Sequence, residues 1–359
     1  MSESQTESES VWDRLTAMGV RRYTAIAVLV LLAAMGVYSL LRPTSSIAAL
    51  LDILTKKNTL STTLQLSVPI TFAALGGIFA EKSGVINIGL EGLLIISAFF
   101  GVYVTDLTGN VWAGMGAGVV SGTLLAGLFG VVCIEYRADQ IIAGLAIWLV
   151  ALGLAPFLSQ VIYGGPNSDG VETLEAITIP ILSEIPLLGA LFDASPVVYL
   201  MFVAVVASWY TLNRTTFGRW VIASGENPKA LDTAGVNVHR VRYAAVLLSG
   251  VLSGIGGAAL SLSLGQFIGN GATMVNGKGF IAIVAYLFGN YNPIGAFLAT
   301  LLFAGLEAVQ IAMQVGDVFD IPQSLVRMIP YITVIVVLAL VGKTRLPAAA
   351  GEHYESGEE

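Results

Sequence analysis

The chain has 359 residues, of which 55% are hydrophobic and 11% charged, with a mean hydropathy of +0.81 and a formal net charge of -7. Soluble domains carry about 25% charged residues, so this composition excludes an ordinary soluble protein and points to an integral membrane protein. The acidic balance gives nucleic acid no footing, and a lone cysteine, Cys133, excludes an internal disulfide and a cysteine metal cluster.

No polar block is long enough to fold by itself, so residues 23–342 read as one membrane domain between two tails. Residues 1–22, with Glu3, Glu7 and Glu9, and residues 343–359, with Glu352, Glu355, Glu358 and Glu359, read as solvated, disordered cytoplasmic tails. The run 23–41 follows Arg14, Arg21 and Arg22 and precedes Arg42 and Pro43 with no small-residue cleavage site, so it reads as an anchor rather than a removable signal. Hydropathy predicts an all-α polytopic fold of ten spans, near 23–41, 60–80, 85–105, 111–133, 141–162, 197–212, 243–265, 278–289, 293–314 and 324–342.

With both termini in the cytoplasm, 12 Lys and Arg residues fall inside and 3 (Arg42, Lys56 and Lys57) outside, with Lys278 and Arg327 at membrane depth. That bias sets the orientation in the plasma membrane. The outer loop 164–196 carries Asp169, Glu172, Glu175, Glu184 and Asp193 and no Lys or Arg, so it crosses outward unopposed.

The stretch E-K-S-G-V-I-N-I-G-L-E-G at 81–92 makes a poor continuous helix, since each interior Gly costs up to about 1 kcal/mol relative to Ala. Unwound backbone at membrane depth is tolerated where it lines a cavity or packs on protein. One reading is a broken helix beside a translocation path, with Asn87 and Glu91 facing inward. The other is a cytoplasmic turn at 81–84 with Asn87 as a helix–helix hydrogen bonder. Lys278, Glu307, Gln310 and Arg327 complete the candidates for the path, because ionisable groups within spans are costly enough to point to function. A Glu307–Arg327 ion pair that fixes the bundle is the alternative. The small-residue runs Gly114, Gly116, Gly118 and Gly250, Gly254, Gly257 suit close helix approach.

Residues 214–242 form the longest polar segment between apolar runs, basic at both ends. Asn227 suits a helix N-cap, Pro228 the first helical position and Gly235 the left-handed residue past the end, which predicts a two-turn helix over 228–234. A helix that short is marginal alone and needs something to dock against. A weak internal similarity pairs 82–88 with 278–283, Phe100–Gly101 with Phe288–Gly289, and 109–114 with 289–295, in opposite directions across the membrane. Inverted repeats with Gly-interrupted segments mark transporter cores.

Enzyme signatures are missing. Gly342-Lys343-Thr344 has Val337 where a phosphate-binding loop requires Gly, and Gly277-Lys278 has Ala272. No nucleophile elbow or metal pair occurs. A chain of this kind needs an outside source for any ATP-driven step.

Four stretches, 81–92, R-A-D-Q-I-I-A-G-L-A at 137–146, G-E-N-P-K-A-L-D-T-A-G at 225–235 and G-K-G-F-I-A-I at 277–283, together resemble the permease subunits of ABC importers. The group is that of branched-chain amino acid, ribose and nucleoside systems, and the chain is most similar to the second permease of nucleoside (simple-sugar-like) uptake systems, from about Leu60 to Val341. The resemblance implies that 226–235 is a cytoplasmic coupling helix, with Glu226, Asn227, Pro228, Lys229, Ala230, Ala234 and Gly235 at the ATPase contact. It implies a cytoplasmic ABC ATPase that holds the ATP and Mg, a second homologous permease, and an extracytoplasmic substrate-binding protein, with no cofactor in this chain. Nucleosides are the first substrate expectation, with simple sugars and branched-chain amino acids as alternatives. A stand-alone secondary transporter or channel for a small polar solute is the rival reading.

Overall fold

The structure is a computed structural model, and it describes residues 38, 41, 42, 45–185, 188–316, 328, 332 and 345–354. In chain order the helices are α1 (Ser46–Thr55), α2 (Lys57–Lys82), α3 (Leu90–Thr108), α4 (Val111–Gly130), α5 (Gln140–Tyr163), α6 (Pro196–Arg214), α7 (Thr216–Glu226), α8 (Pro228–Thr233), α9 (Val238–Leu264), α10 (Lys278–Phe288) and α11 (Pro293–Gly316). A π-helical turn, Val131–Glu135, prolongs α4. In the 164–196 connection, β1 (Ile177–Thr178) pairs antiparallel with β2 (Asp193–Ala194), and a Lys57–Asp193 ion pair of 2.7 Å ties this ribbon to the start of α2.

Among the described residues seven helices, α2, α3, α4, α5, α6, α9 and α11, are long and apolar enough to cross a membrane, while α10 is apolar but shorter. The 26 residues of α2 span about 39 Å, against roughly 30 Å of hydrocarbon. The chain is a multi-pass membrane protein. The expected spans 23–41 and 324–342 lie outside the described residues except for Tyr38, Leu41, Met328 and Ile332.

α2 and α9 are apolar around most of their circumference, and accordingly they are enclosed. They pack on each other; α2 also holds α10 and α11, and α9 holds α3 and α4. Outward faces of α5 and α6 show Ile142, Leu149, Phe157, Val203 and Val206, a surface that suits lipid and not water. Where α4 crosses α9, a Cβ on Gly250 would sit 2.8 Å from the Cα of Thr123, and one on Gly254 2.7 Å from the Cα of Val119. Gly114, Gly118 and Gly257 are equally crowded, so the expected close approach holds there, whereas Gly116 faces open space.

Four expectations change. The span expected over 85–105 starts at Leu90, because Ser83–Gly89 is not helical. The 214–242 segment is not a loop with one short helix: α7 precedes α8. Gly218, Ser224 and Gly225 hide α7 from propensity, but the Ser224 Oγ donates to the Ser83 carbonyl at 2.8 Å and a Cβ on Gly225 would meet the Lys82 carbonyl, so tertiary packing holds the helix. The register of the internal similarity also fails. Lys82 ends α2 while Lys278 begins α10, and Phe100–Gly101 lies inside α3 while Phe288–Gly289 closes α10; only 109–114 and 289–295 fall on comparable helix corners. Finally, residues 345–354, expected in a disordered tail, lie against the bundle, with the Gly351 N–H donating to the Gly84 carbonyl at 3.0 Å.

Candidate functional site

The break between α2 and α3 turns on Gly84, whose φ of +95° is left-handed and whose missing Cβ leaves room for the Arg242 guanidinium. Past it, the Ile86 N–H donates to Gln140 Oε1 at 2.7 Å. Asn87 is buried. Its Oδ1 accepts from the Gly89 N–H at 3.0 Å and its Nδ2 donates to the Ser249 Oγ on α9 at 3.1 Å. One side chain thus shapes the turn and ties it to a neighbouring helix, which satisfies an amide that would otherwise be costly to bury.

Glu91, 2% exposed in the first turn of α3, reaches the start of another helix. Its two carboxylate oxygens accept from the Gly277 N–H at 2.7 Å and the Gly279 N–H at 2.6 Å, so a side chain of α3 caps α10. Negative charge is favoured at a helix N-terminus, and hydrogen bonds to a carboxylate are the stronger kind. A Cβ on Gly279 would lie 2.4 Å from the Glu91 nitrogen, so the two first turns touch backbone to backbone. Beside them Lys278, 5% exposed, pairs with Glu307 of α11 at 2.9 Å, and Gln310 lies one turn farther along α11. Trp148 of α5 meets Phe280 of α10 edge to face with ring centres 5.2 Å apart. Lys278 is an ion partner of Glu307, while the alternative pairing with Arg327 falls on a residue outside the described ones. Asn87, Glu91, Lys278 and Glu307 are therefore gathered around one junction, the meeting of α3 and α10.

Sequence reasoning missed a second buried carboxylate, Glu81, because it was assigned to a turn at the end of the span. The hydroxyls of Tyr286 and Tyr291 donate to its two oxygens, the latter at 2.7 Å. Burial and then the Glu81 carboxylate push the Tyr291 phenol well above its ordinary pKa, which keeps it a donor. Two tyrosines near the close of a short apolar helix, within reach of an acid at the end of another span, were the available signal.

The short helix α8 forms where expected. Asn227 Oδ1 accepts from the Ala230 N–H at 3.0 Å, Pro228 occupies the first turn, and Gly235 takes a φ of +82° past the end. Leu231 is its buried anchor, while Glu226, Asn227, Lys229, Ala230, Ala234 and Gly235 are exposed and Pro228 is half-buried. α8 packs on α7 and α9, and α7 packs on α2, whose end leads into the 83–89 break. At the far end of the bundle a cleft of about 730 Å³ is lined by Asn110, Trp112, Glu172, Glu175 and Pro196.

Residues 59–338 match the family described as the permease component of branched-chain amino acid transport systems. The chain is 38% identical to the nucleoside ABC transporter permease NupC of Lactococcus lactis, over 80% of this chain and 93% of that protein. It is 36% identical to the guanosine ABC transporter permease NupQ of Bacillus subtilis, over 82% and 96%. A putative glucose ABC transporter permease of Haloferax volcanii, TsgC13, is 35% identical over 71% and 77%. No solved structure matches. With most of its length, the 83–89 break, the start of α10 and the short exposed helix inside the matched region, the chain belongs to the branched-chain amino acid transport system permease family and is a permease subunit of an ABC transporter.

Proposed function

We propose that this permease imports nucleosides, and that α8 is the helix through which partner ATPases drive it. The observation that carries the substrate is the pair of relatives named for nucleoside and guanosine transport, each matched over more than nine-tenths of its own length. The glucose-named relative keeps simple sugars as the second reading. Family membership displaces the stand-alone transporter or channel.

The seven long helices, α10 and the runs at 23–41 and 324–342 make ten spans in this account. The excess of Lys and Arg at the α7–α8 end supports a cytoplasmic position for that end and for both termini. An ATPase grips the exposed face of α8; a second, related permease completes the path; and an extracytoplasmic binding protein delivers substrate at the end that carries the acidic cleft. ATP and Mg belong to the ATPase, and this chain needs no cofactor of its own. The repeat is redrawn with α2, α3 and α4 as one half and α9, α10 and α11 as the other. The reciprocal packing of α2 and α9 supports it.

In this mechanism the α3–α10 junction is the closed position of the path. Glu91 holds the start of α10 and Lys278–Glu307 holds α10 to α11, so ATP-driven rocking of one half against the other has discrete contacts to break and remake. The partner binding protein, screened by thermal shift against nucleosides, bases, sugars and branched-chain amino acids, tests the substrate. Stabilisation by nucleosides is expected, and stabilisation by sugars alone would move the assignment to the second reading.

A further inference from the structure

Residues 345–354 cross the α7–α8 end of the bundle and reach five separate elements. The Arg345 N–H donates to Asn290 Oδ1 in the α10–α11 turn at 3.3 Å. The Ala349 N–H donates to the Gly225 carbonyl at the end of α7 at 2.7 Å, and the Gly351 N–H to the Gly84 carbonyl in the α2–α3 break at 3.0 Å. From α9, Arg242 Nη1 donates to the Glu352 carbonyl at 2.7 Å and His239 Nε2 meets the Tyr354 carbonyl at 3.0 Å. The fifth element is α8, where the Tyr354 hydroxyl donates to Asp232 Oδ2 at 2.9 Å.

These contacts are fitted rather than superficial. Pro347 and Ala349 are buried. A Cβ on Gly84 would lie 2.9 Å from Arg242 Nη2 and 3.2 Å from the Ala349 carbonyl oxygen, so break, guanidinium and strap share one close-packed spot. Arg242 is 4% exposed, and its Nε and Nη2 have no hydrogen-bond partner among the described residues, which leaves the Glu352 carbonyl as its anchor. A buried guanidinium that loses such a partner is costly, so the strap and Arg242 hold one another in place.

We propose that the 345–354 strap is a tie that transmits displacement of α8 to the α2–α3 break, with Tyr354 and Arg242 as its positioning residues. The strap fastens α8 through Asp232 at one end, and it fastens Gly84, three residues before Asn87, in its middle. Besides the strap, α8 reaches the break through its neighbours, by the Ser224–Ser83 hydrogen bond from α7 and the Asn87–Ser249 hydrogen bond to α9, and the strap adds a link that starts on α8 itself. A hydrogen-bonded tie between two elements with alternative arrangements is a physical route for coupling between distant sites. This inference rests on α8 being the ATPase contact.

The assembled transporter in liposomes, with its ATPase, second permease and binding protein, tests the tie by the number of ATP molecules hydrolysed per nucleoside imported. Tyr354→Phe removes only the hydroxyl, and that ratio is expected to rise about fivefold, near the lower end of inter-site coupling, with assembly and melting temperature unchanged. Asp232→Ala is expected to do the same, and the double variant to do no more than either alone. Deletion of 345–354 is expected to give a larger rise. An unchanged ratio in both single variants overturns the tie, as does loss of assembly in Tyr354→Phe, which would make the contact merely structural. If Glu226→Ala with Lys229→Ala on α8 also leaves the ratio unchanged, the reading of α8 itself fails; if those raise it and Tyr354→Phe does not, only the tie fails.

Discussion

At the α3–α10 junction Asn87, Glu91, Lys278 and Glu307 have each found a partner within the chain, whereas along α8 nearly every polar side chain faces outward. The junction is closed chemistry: two backbone N–H groups meet the buried Glu91 carboxylate, and the buried Lys278 ammonium meets the half-buried Glu307 carboxylate. α8 is the reverse, a six-residue helix with one buried anchor, Leu231, a tie from Asp232 to Tyr354, and exposed side chains at Lys229 and Thr233. A buried polar cluster that is fully paired holds a state, and an exposed short helix waits for a partner. The difference therefore separates the part that must be moved from the part that is pushed.

The sharpest way to break this contrast is to unpair the junction. Lys278→Met leaves Glu307 without its cation and is expected to cost about 3–5 kcal/mol, while Lys278→Met with Glu307→Leu together is expected to be nearly neutral. Thermal unfolding of the detergent-purified complex measures both, and equal losses in the single and double variants would mean that the pair is not what holds α10 to α11. Next in size, Gly279→Ala puts a Cβ against the Glu91 backbone. Overpacking there is expected to cost about 1–3 kcal/mol, read by the same melt. On the α8 side, Asn227→Ala removes the cap at about 1 kcal/mol, and its signature is faster hydrogen exchange at the Ala230 amide with little change in the global melt.

The smallest effect is a pH dependence at the far end of the bundle. The Lys57 ammonium and then the Thr178 hydroxyl hold the Asp193 carboxyl below its usual range. Because the folded value is the lower one, its contribution is present above the ordinary carboxylate pKa and lost as pH falls through the folded value. The pair is exposed, so the loss is expected to be small and to diminish with salt. Melting curves of the wild type and of Lys57→Ala between pH 6 and 3 are expected to converge at the acid end, about where carboxylates titrate. Parallel curves would remove the pair from the account.

Much of this contrast could be read from the sequence, for identifiable reasons. Asn227, Pro228 and Gly235 each have one strong conformational preference, and three preferences in register located α8 closely. Gly84, Asn87 and Gly89 likewise suggested an interrupted helix, but its end at Leu90 was not legible, and Gly92, counted with them, lies inside α3. Hydropathy gave the seven long helices because the apolar length needed to cross a bilayer is a coarse quantity. What escaped was set by tertiary contact. α7 is stabilised by its glycines lying on the backbone of its neighbours, and the Lys278–Glu307 pair joins two helices that composition alone does not bring together. Glu81, with Tyr286 and Tyr291, depends on residues more than two hundred positions apart. Residues 345–354 carry an acidic composition that reads as solvated, yet backbone hydrogen bonds, invisible to composition, fix them.

The most direct measurement is nucleoside uptake and nucleoside-stimulated ATP hydrolysis by the reconstituted transporter carrying Glu226→Ala and Lys229→Ala on the exposed face of α8. Uptake is expected to fall about tenfold and the stimulation by nucleoside to be lost while basal ATP hydrolysis continues, so that more ATP is hydrolysed per nucleoside imported, while surface changes of this kind leave stability within about 0.5 kcal/mol. Wild-type uptake and stimulation in that variant would contradict the central claim that α8 is where ATP hydrolysis is coupled to the path.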